Sequence, residues 1–345
     1  MVAVHASRRA VLKATGAVGL GLAMPMILST RGSTQGGTET INFQLAFLLN
    51  NNQMGQIVAD KLGYFEEEKL AVNTLPGGPS MDGIAIVAAG QAEMGVVSSS
   101  PNLMMAVSQK IPVKAILSQM QEHPYTFYSR PDTPVRTPQD MIGKKIGVNQ
   151  TGRILVSALL KVNGIPEDQV EIVTIGAELT PLLTKQADVV TNWATQPTAT
   201  QKLGPVEAMR LWDHGVQLYG QVQYVNLETL ERRPEAVAAF VRAVARGWGY
   251  VYENPDKAIE IYLNENDRAV RADEEMAMPL VLQYMFNENT HRDGWGTFDP
   301  ALWQKQINLY DSLGQFTAGK PNVDDVITMS VLDATKDARP KFGRA

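Results

Sequence analysis

Apolar residues recur at every second position from Ile41 to Phe47. This period of two predicts a β-strand with one buried face. Strand and helix patterns then alternate along the chain. Strands are predicted at residues 41–47, 70–75, 94–97, 113–117, 125–128, 146–148, 170–175, 189–192, 209–212 and 221–227. The intervening helices are predicted at residues 55–62, 81–89, 153–162 and 179–185, and from residues 101 and 194 onward.

This alternation predicts parallel strands joined by right-handed helical crossovers, which is the α/β class. A proline-punctuated connection at residues 130–138 separates two such series, so two lobes are expected. The final third has helical patterns and no strand pattern of its own, and we expect it to return and pack on the first lobe. Its helices are predicted at residues 234–252, 255–263, 274–287 with a kink at Pro279, and 300–313.

The amino terminus has the composition of an export signal. Arg8 and Arg9 are followed by Leu12 and Lys13, then by an apolar run at residues 14–28 and a polar stretch. This order of parts predicts a twin-arginine signal at residues 1–38, which we exclude from the fold. An amphipathic helix of the folded domain is the alternative, but the apolar run is uniform and too short to span a bilayer.

Composition narrows the class of protein further. The chain has no cysteine, which excludes disulfides, thiolate metal sites, cysteine nucleophiles and a lipid anchor on cysteine. It has 31 basic and 36 acidic residues, so nucleic acid is not an expected partner. No second long apolar segment follows the signal. A soluble protein released into the periplasm, without a lipid anchor, is therefore expected.

Four segments resemble a known family in order and spacing. They are the run KLGYFEEEKL at residues 61–70, the turn PGGPS at 76–80, the run IVAAGQAEMGV at 86–96 and IGKKIGV at 142–148. Together they resemble the NMT1/THI5-like substrate-binding proteins, a group with receptors for alkanesulfonates, taurine, nitrate and thiamine-pyrimidine precursors. The resemblance covers about residues 40–265.

The resemblance implies a periplasmic-binding-protein-like fold of type II, in which two α/β lobes are joined by two crossing strands. Such lobes close like a hinge over a ligand. We place the crossings near residues 123–128 and 219–226. The expected organisation is a signal at 1–38, a first lobe at 39–123 plus 225–345, and a second lobe at 124–224.

The expected function is that of a monomeric periplasmic receptor that delivers a small organic molecule to the permease and ATPase of an ABC importer. No catalysis, cofactor or metal is expected. One enzyme of the same family, a thiamine-pyrimidine synthase, uses a cysteine-rich iron motif, which this chain lacks. A receptor that serves a sensory system stays an open alternative. The ligand is also open between a thiamine-precursor pyrimidine, an aromatic carboxylate and an organosulfonate.

Ligands of open α/β lobes lie beyond the carboxyl ends of the strands, where loops lead into helix amino termini. Asparagine amides can donate and accept there, and glycines let the backbone approach a ligand. The same residues could instead form ordinary turns and helix caps. In the first lobe the candidates are Phe47, Asn50, Asn51, Asn52, Gly77, Gly78, Ser80, Ser98 and Ser99.

In the second lobe, the turn before the helix at residues 153–162 can form an anion site from a helix amino terminus and an arginine fork. Arg153 could equally be exposed or paired with an acidic neighbour. A tryptophan after the strand at 189–192 could cover a planar group of the ligand, or belong to the core. These candidates are Thr151, Gly152, Arg153, Asn192 and Trp193. His123, His214 and His291 have no metal-ligand spacing and are expected at the surface or in the core.

Overall fold

A computed structural model describes residues 37–78, 81–149, 152–176 and 178–344. The twin-arginine motif and the apolar run after it lie outside these residues. The described residues from Thr38 onward form one compact unit. Within the described residues, no helix combines the length and the apolar character that crossing a bilayer requires.

Within the described ranges, ten strands form two five-stranded sheets, ordered β2-β1-β3-β10-β4 and β7-β6-β8-β5-β9. The strands of the first sheet are β1 Glu39–Gln44, β2 Leu70–Leu75, β3 Met94–Ser99, β4 Val113–Met120 and β10 Gly220–Asn226. Those of the second are β5 Tyr125–Ser129, β6 Lys145–Val148, β7 Glu171–Thr174, β8 Val189–Trp193 and β9 Glu207–Arg210.

Each sheet has one antiparallel strand, and the chain enters that strand from the other sheet. β1 pairs in parallel with β2 and β3, whereas β10 runs antiparallel between β3 and β4. In the second sheet β6 is parallel to β7 and β8, and β5 runs antiparallel between β8 and β9. The connections at residues 121–124 and 211–219 join the lobes. The predicted two-lobed fold of type II is thereby confirmed.

The lobe boundaries themselves stay a prediction, but one strand lies differently from the expected division. That division assigned residues 220–224 to the second lobe, whereas the whole of β10 pairs with β3 and β4 in the first sheet. The returning chain therefore crosses before Gly220. Periodicity locates a strand along the chain but does not show which sheet it joins.

Fourteen α-helices are present in the described residues. They are α1 Met54–Lys61, α2 Tyr64–Glu67, α3 Gly83–Ala88, α4 Ser100–Ser108, α5 Arg153–Val162, α6 Pro197–Gln201, α7 Leu227–Arg232, α8 Pro234–Glu253, α9 Pro255–Glu265, α10 Arg271–Met285, α11 Glu288–Asp293, α12 Pro300–Ser312, α13 Val323–Val326 and α14 Ser330–Ala334. Pro279 lies inside α10, at the predicted position.

The carboxyl-terminal helices pack on the first lobe, as the sequence predicts. Helix α8 packs along α1, α12 packs on α4, and α14 packs on α8 and β4. The approach of α8 to α1 is close because glycines meet there. A Cβ on Gly247 would overlap the carbonyl oxygen of Gly55, and a Cβ on Gly55 would overlap the indole of Trp248. Trp248 is fully buried, and its Nε1 donates to Gln119 Oε1 at 3.0 Å.

One predicted helix is wrong. Residues 179–185 form only a 3-10 turn at Thr180–Leu182. Leu179 and Leu182 are buried, but Leu183 is exposed, and Lys185 has a left-handed φ of 59° that stops further helical turns. Two buried leucines give the segment too little apolar contact to stabilise a longer helix.

Candidate functional site

The carboxyl ends of the strands of both sheets meet at the connection between the lobes. In the first sheet Gly220 pairs with Ser99 on one side and Met120 on the other. In the second sheet Tyr125 pairs with Trp193. Across the lobes, α10 packs against α6 and α12 against α5. The loops at these strand ends therefore lie where the two lobes meet. This region is called the cleft below, and the crossing at residues 121–124 is called its floor.

The three asparagines after β1 have three different environments. Asn50 caps the 3-10 turn Asn51–Gln53, where its Oδ1 accepts from the Asn52 N–H at 2.9 Å. Asn51 donates its Nδ2 to Glu274 Oε2 at 3.0 Å, and burial raises the pKa of Glu274. Asn52 is buried, and its Oδ1 has no hydrogen-bond partner in the described part of the chain. Asn52 is therefore the asparagine of the three whose buried acceptor no described residue satisfies.

The glycine turn after β2 meets the protein's own backbone. Gly77 donates its N–H to Phe47 O at 3.2 Å, and a Cβ on it would overlap Leu45 O. Packing of the turn on the β1 loop thus already accounts for this glycine. A Cβ on Gly78 would meet only the side chain of Met81, at 3.9 Å or more. Phe47 is exposed, and Ser80 lies outside the described residues.

The two serines at the end of β3 differ in burial. Ser98 is half-buried, whereas Ser99 is buried. Ser99 occupies the N-cap position of α4 but makes no capping hydrogen bond with its side chain, and its Oγ has no partner within the described ranges. Helix capping therefore does not account for the Ser99 hydroxyl.

In the second lobe, the turn into α5 packs against Tyr125. The Gly152 N–H donates to Asn149 Oδ1 at 2.8 Å, and a Cβ on Gly152 would overlap the Tyr125 hydroxyl. That hydroxyl donates to Thr191 Oγ1 at 2.8 Å. Thr151 lies outside the described residues. Gly152 thus lies at the edge of the cleft. Close packing against the Tyr125 hydroxyl already explains why this position has a glycine, without any role for a ligand.

Arg153 is paired with a carboxylate. Its Nη2 lies 2.7 Å from Glu167 Oε1, and its side chain is 59 % exposed. The sequence left this pairing open as the alternative to an anion-binding fork. An anionic ligand would have to compete with Glu167 for the guanidinium. The structure therefore does not support the predicted anion site at Arg153.

Trp193 ends β8 and is half-buried at the edge of the core. The imidazole of His123 contacts it edge to face, with ring centroids 5.2 Å apart. Asn192 directs its Nδ2 to Gln196 O at 3.5 Å. The structure therefore places Trp193 and a crossing residue together at the floor of the cleft.

Sequence reasoning missed several cleft residues. His123 was expected to be an ordinary surface or core residue, yet its Nε2 is buried and has no hydrogen-bond partner in the described parts of the chain. The same holds for Thr195 Oγ1, two residues after Trp193. Gln53 and Gln221 were not considered, and they meet at 3.4 Å between Nε2 and Oε1. Polar residues at strand ends could have signalled them. Their burial is a product of lobe packing and has no local pattern.

A charged cluster joins the lobes beside this floor. Arg210, at the end of β9, forms an ion pair with Glu122 in the crossing and lies over the ring of Tyr284 on α10 at 5.5 Å. Asp213 lies 3.5 Å from the same guanidinium. Arg210 is thus neutralised by carboxylates, like Arg153.

His123 should make the protein sensitive to acid. Burial lowers the pKa of His123 to about 3, whereas the unfolded chain has a histidine pKa near ~6.5. The contribution of the neutral imidazole to stability is therefore present above pH ~6.5 and is lost as the pH falls towards 3, by at most ~1.4 kcal/mol per pH unit. We expect the free energy of unfolding, measured with urea from pH 7 to 4, to fall less steeply in His123→Phe than in the wild type. Parallel curves would contradict this expectation.

The sequence is similar to those of known binding proteins and of pyrimidine phosphate synthases. The Formylaminopyrimidine-binding protein of Halalkalibacterium halodurans is 26 % identical over 289 residues, which cover 79 % of this chain and 85 % of that protein. The 4-amino-5-hydroxymethyl-2-methylpyrimidine phosphate synthase of Legionella pneumophila is 26 % identical over 214 residues, or 59 % of this chain and 67 % of that one.

Among solved structures, the periplasmic aliphatic sulphonate binding protein SsuA of Escherichia coli superposes with a TM-score of 0.66 at 12 % identity. The match covers 86 % of this chain and 99 % of SsuA. At that identity the likeness concerns the fold alone. The family model described as NMT1/THI5 like matches residues 50–258, which is more than half of the chain. The resemblance of the four sequence segments is thus confirmed, and the chain belongs to the NMT1/THI5-like family.

Proposed function

We propose that this protein is a solute receptor that binds a small, planar, neutral nitrogen heterocycle between its lobes. The observation that carries the proposal is a group of buried polar atoms without partners in the described residues, all at the strand ends and crossing that border the cleft. They are Asn52 Oδ1, Ser99 Oγ, His123 Nε2 and Thr195 Oγ1.

Such atoms are costly unless a partner arrives. A buried donor or acceptor that is left unpaired costs about 1–3 kcal/mol. Four such atoms beside one cleft would lower the stability of the protein considerably if no polar ligand ever bound there. A ligand with several hydrogen-bonding groups removes this penalty on binding, and Trp193 offers an aromatic surface to its plane.

The charges at the cleft favour a neutral ligand over a sulfonate or carboxylate. Arg153 is paired with Glu167, and Arg210 with Glu122. The carboxylate of Glu274 adds a partly buried acid beside Asn51. An anion would therefore approach groups that are already neutralised or negative, whereas an aminopyrimidine could pair with amides and hydroxyls.

The relatives support the same chemistry. The formylaminopyrimidine-binding relative matches most of both chains, and the fold is that of periplasmic receptors. We accordingly propose that the chain is exported by the twin-arginine route, works as an unanchored periplasmic monomer, and closes on its ligand before delivering it to an ABC importer's permease and ATPase.

Native mass spectrometry of the protein purified without refolding, followed by calorimetry, tests this function. We expect one molecule of formylaminopyrimidine to bind per chain and methanesulfonate to bind at least 100-fold more weakly. Mass spectrometry of the mixture should return the pyrimidine unchanged. Tight sulfonate binding would overturn the ligand class, and conversion of the bound molecule would indicate an enzyme of the synthase type.

A further inference from the structure

His123 has an unusual environment for a histidine with no assigned role. It lies in the crossing at residues 121–124, between the end of β4 and the start of β5, and only 2 % of its surface is exposed. Its ring centroid lies 5.2 Å from that of Trp193 and 6.2 Å from that of Tyr125. The imidazole is therefore fixed by aromatic neighbours at the point where the two lobes join.

The hydrogen bonds of the ring determine which nitrogen has the proton. The backbone N–H of Tyr125 donates to Nδ1 at 3.3 Å, so Nδ1 must offer its lone pair. A neutral imidazole has one donor and one acceptor nitrogen, which places the proton on Nε2. Because burial lowers the pKa of His123 to about 3, the ring stays neutral at physiological pH.

The resulting Nε2–H donor is buried and has no hydrogen-bond partner among the described residues. Its neighbour in the crossing is different, because Gln121 Nε2 donates to Ser118 O at 3.1 Å and to Thr297 O at 2.8 Å. Gln121 thus fastens the crossing to the first lobe. His123 contributes a fixed, uncharged donor beside the aromatic ring of Trp193.

We propose that His123 is a specificity-determining residue that donates its Nε2–H to an acceptor of the ligand. The acceptor is a ring nitrogen or carbonyl oxygen of a planar molecule that lies against Trp193. This inference rests on the proposed function and adds the position of one acceptor to it. A ligand with a donor at that position would be rejected, because two donors would face each other.

Two substitutions separate the donor from the shape of the ring. His123→Phe keeps a ring but removes the donor, and we expect the affinity for formylaminopyrimidine to fall roughly 5- to 150-fold, as for one lost buried hydrogen bond. The melting temperature of the ligand-free protein at pH 7.5 should change little, since the substitution removes the unpaired Nε2–H together with the acceptor of the Tyr125 N–H. His123→Gln, which can place an amide N–H near the position of Nε2, should retain affinity within a few-fold.

The control is His291→Phe, because His291 is exposed on α11, outside the cleft loops. This variant should bind like the wild type. Equal affinity of His123→Phe and wild type would overturn the inference. It would indicate that Nε2 contacts only the ring of Trp193 and no atom of the ligand.

The tautomer can be measured without any ligand. A long-range ¹H–¹⁵N correlation spectrum of the ligand-free protein should show protonated Nε2 and unprotonated Nδ1 for His123, with the signals identified by their loss in His123→Gln. The opposite tautomer would overturn the inference whatever the ligand is. Failure of the wild type to bind formylaminopyrimidine, with the expected tautomer present, would instead refute the proposed ligand class.

Discussion

Replacement of Trp193 by alanine is expected to weaken the binding of formylaminopyrimidine by roughly 5- to 150-fold. Stacking of a planar base on an aromatic side chain contributes ~1–3 kcal/mol. Trp193 is half-buried at the end of β8, and its contact with His123 is edge to face. Calorimetry of the purified variant gives the affinity, and thermal unfolding verifies that the lobe stays folded. Trp193→Phe, which keeps an aromatic ring, should recover most of the affinity.

Arg153→Ala is the matched comparison, because Arg153 belongs to the other predicted site element of the second lobe. An exposed ion pair such as Arg153–Glu167 contributes ~0–1 kcal/mol to stability. The variant should therefore bind a neutral pyrimidine within about twofold of the wild type. A large loss in Arg153→Ala together with unchanged binding in Trp193→Ala would reverse the assignment and restore an anion site at α5.

Replacement of Gly247 by alanine is expected to destabilise the protein by about 2 kcal/mol or more, although alanine is the better helix former. The added methyl group would overlap the backbone carbonyl oxygen of Gly55 and crowd Ala59, which lies 3.2 Å away. Unlike a side chain, a backbone carbonyl cannot avoid the overlap by adopting another rotamer. Helices α1 and α8 would have to separate, and Trp248 between them would lose contacts. Urea unfolding monitored by circular dichroism measures the change.

Gly249→Ala provides the control on the same helix. A methyl group there would meet Pro340 at 3.5 Å, which is ordinary contact. We expect unchanged stability or a gain of up to ~1 kcal/mol from helix propensity. If both variants were equally stable, the close approach of α1 and α8 would not be a requirement of the fold.

The packing of α1 on α8 affects both the stability of the protein and the position of the first-lobe residues at the cleft. Helix α1 begins directly after the turn that holds Asn52 and Gln53, and Gln53 meets Gln221 at the start of β10. Displacement of α1 in Gly247→Ala would therefore move the first-lobe side of the cleft. We expect binding and stability to fall together in this variant, whereas in Trp193→Ala binding weakens while the lobe stays folded.

Much of the fold could be predicted from the chain. Strand β2 and helix α5 have the bounds that their apolar periods indicate. Short segments were less certain, because the stretch at residues 179–185 has helical spacing but too few buried contacts to form a helix. Among the site residues, the family resemblance and the strand ends indicated loops that lie where the two sheets meet. They did not distinguish Asn50, which caps a turn, from Asn52, whose Oδ1 no described residue contacts through a hydrogen bond.

The sequence by itself determined the class and the order of elements, because periods of two and 3.6 residues are local properties of the chain. The family was indicated by the resemblance of four segments. Only the tertiary structure decided which polar groups are available to a ligand. Glu167 lies 14 residues from Arg153, and Glu274 lies 223 residues from Asn51, so these pairings have no local pattern. The same holds for His123, whose ring in the crossing meets Trp193 from β8, 70 positions along the chain. Which partner a polar side chain meets is a long-range consequence of packing. In this protein it distinguishes polar residues that pair with other parts of the chain from those that are available to a ligand.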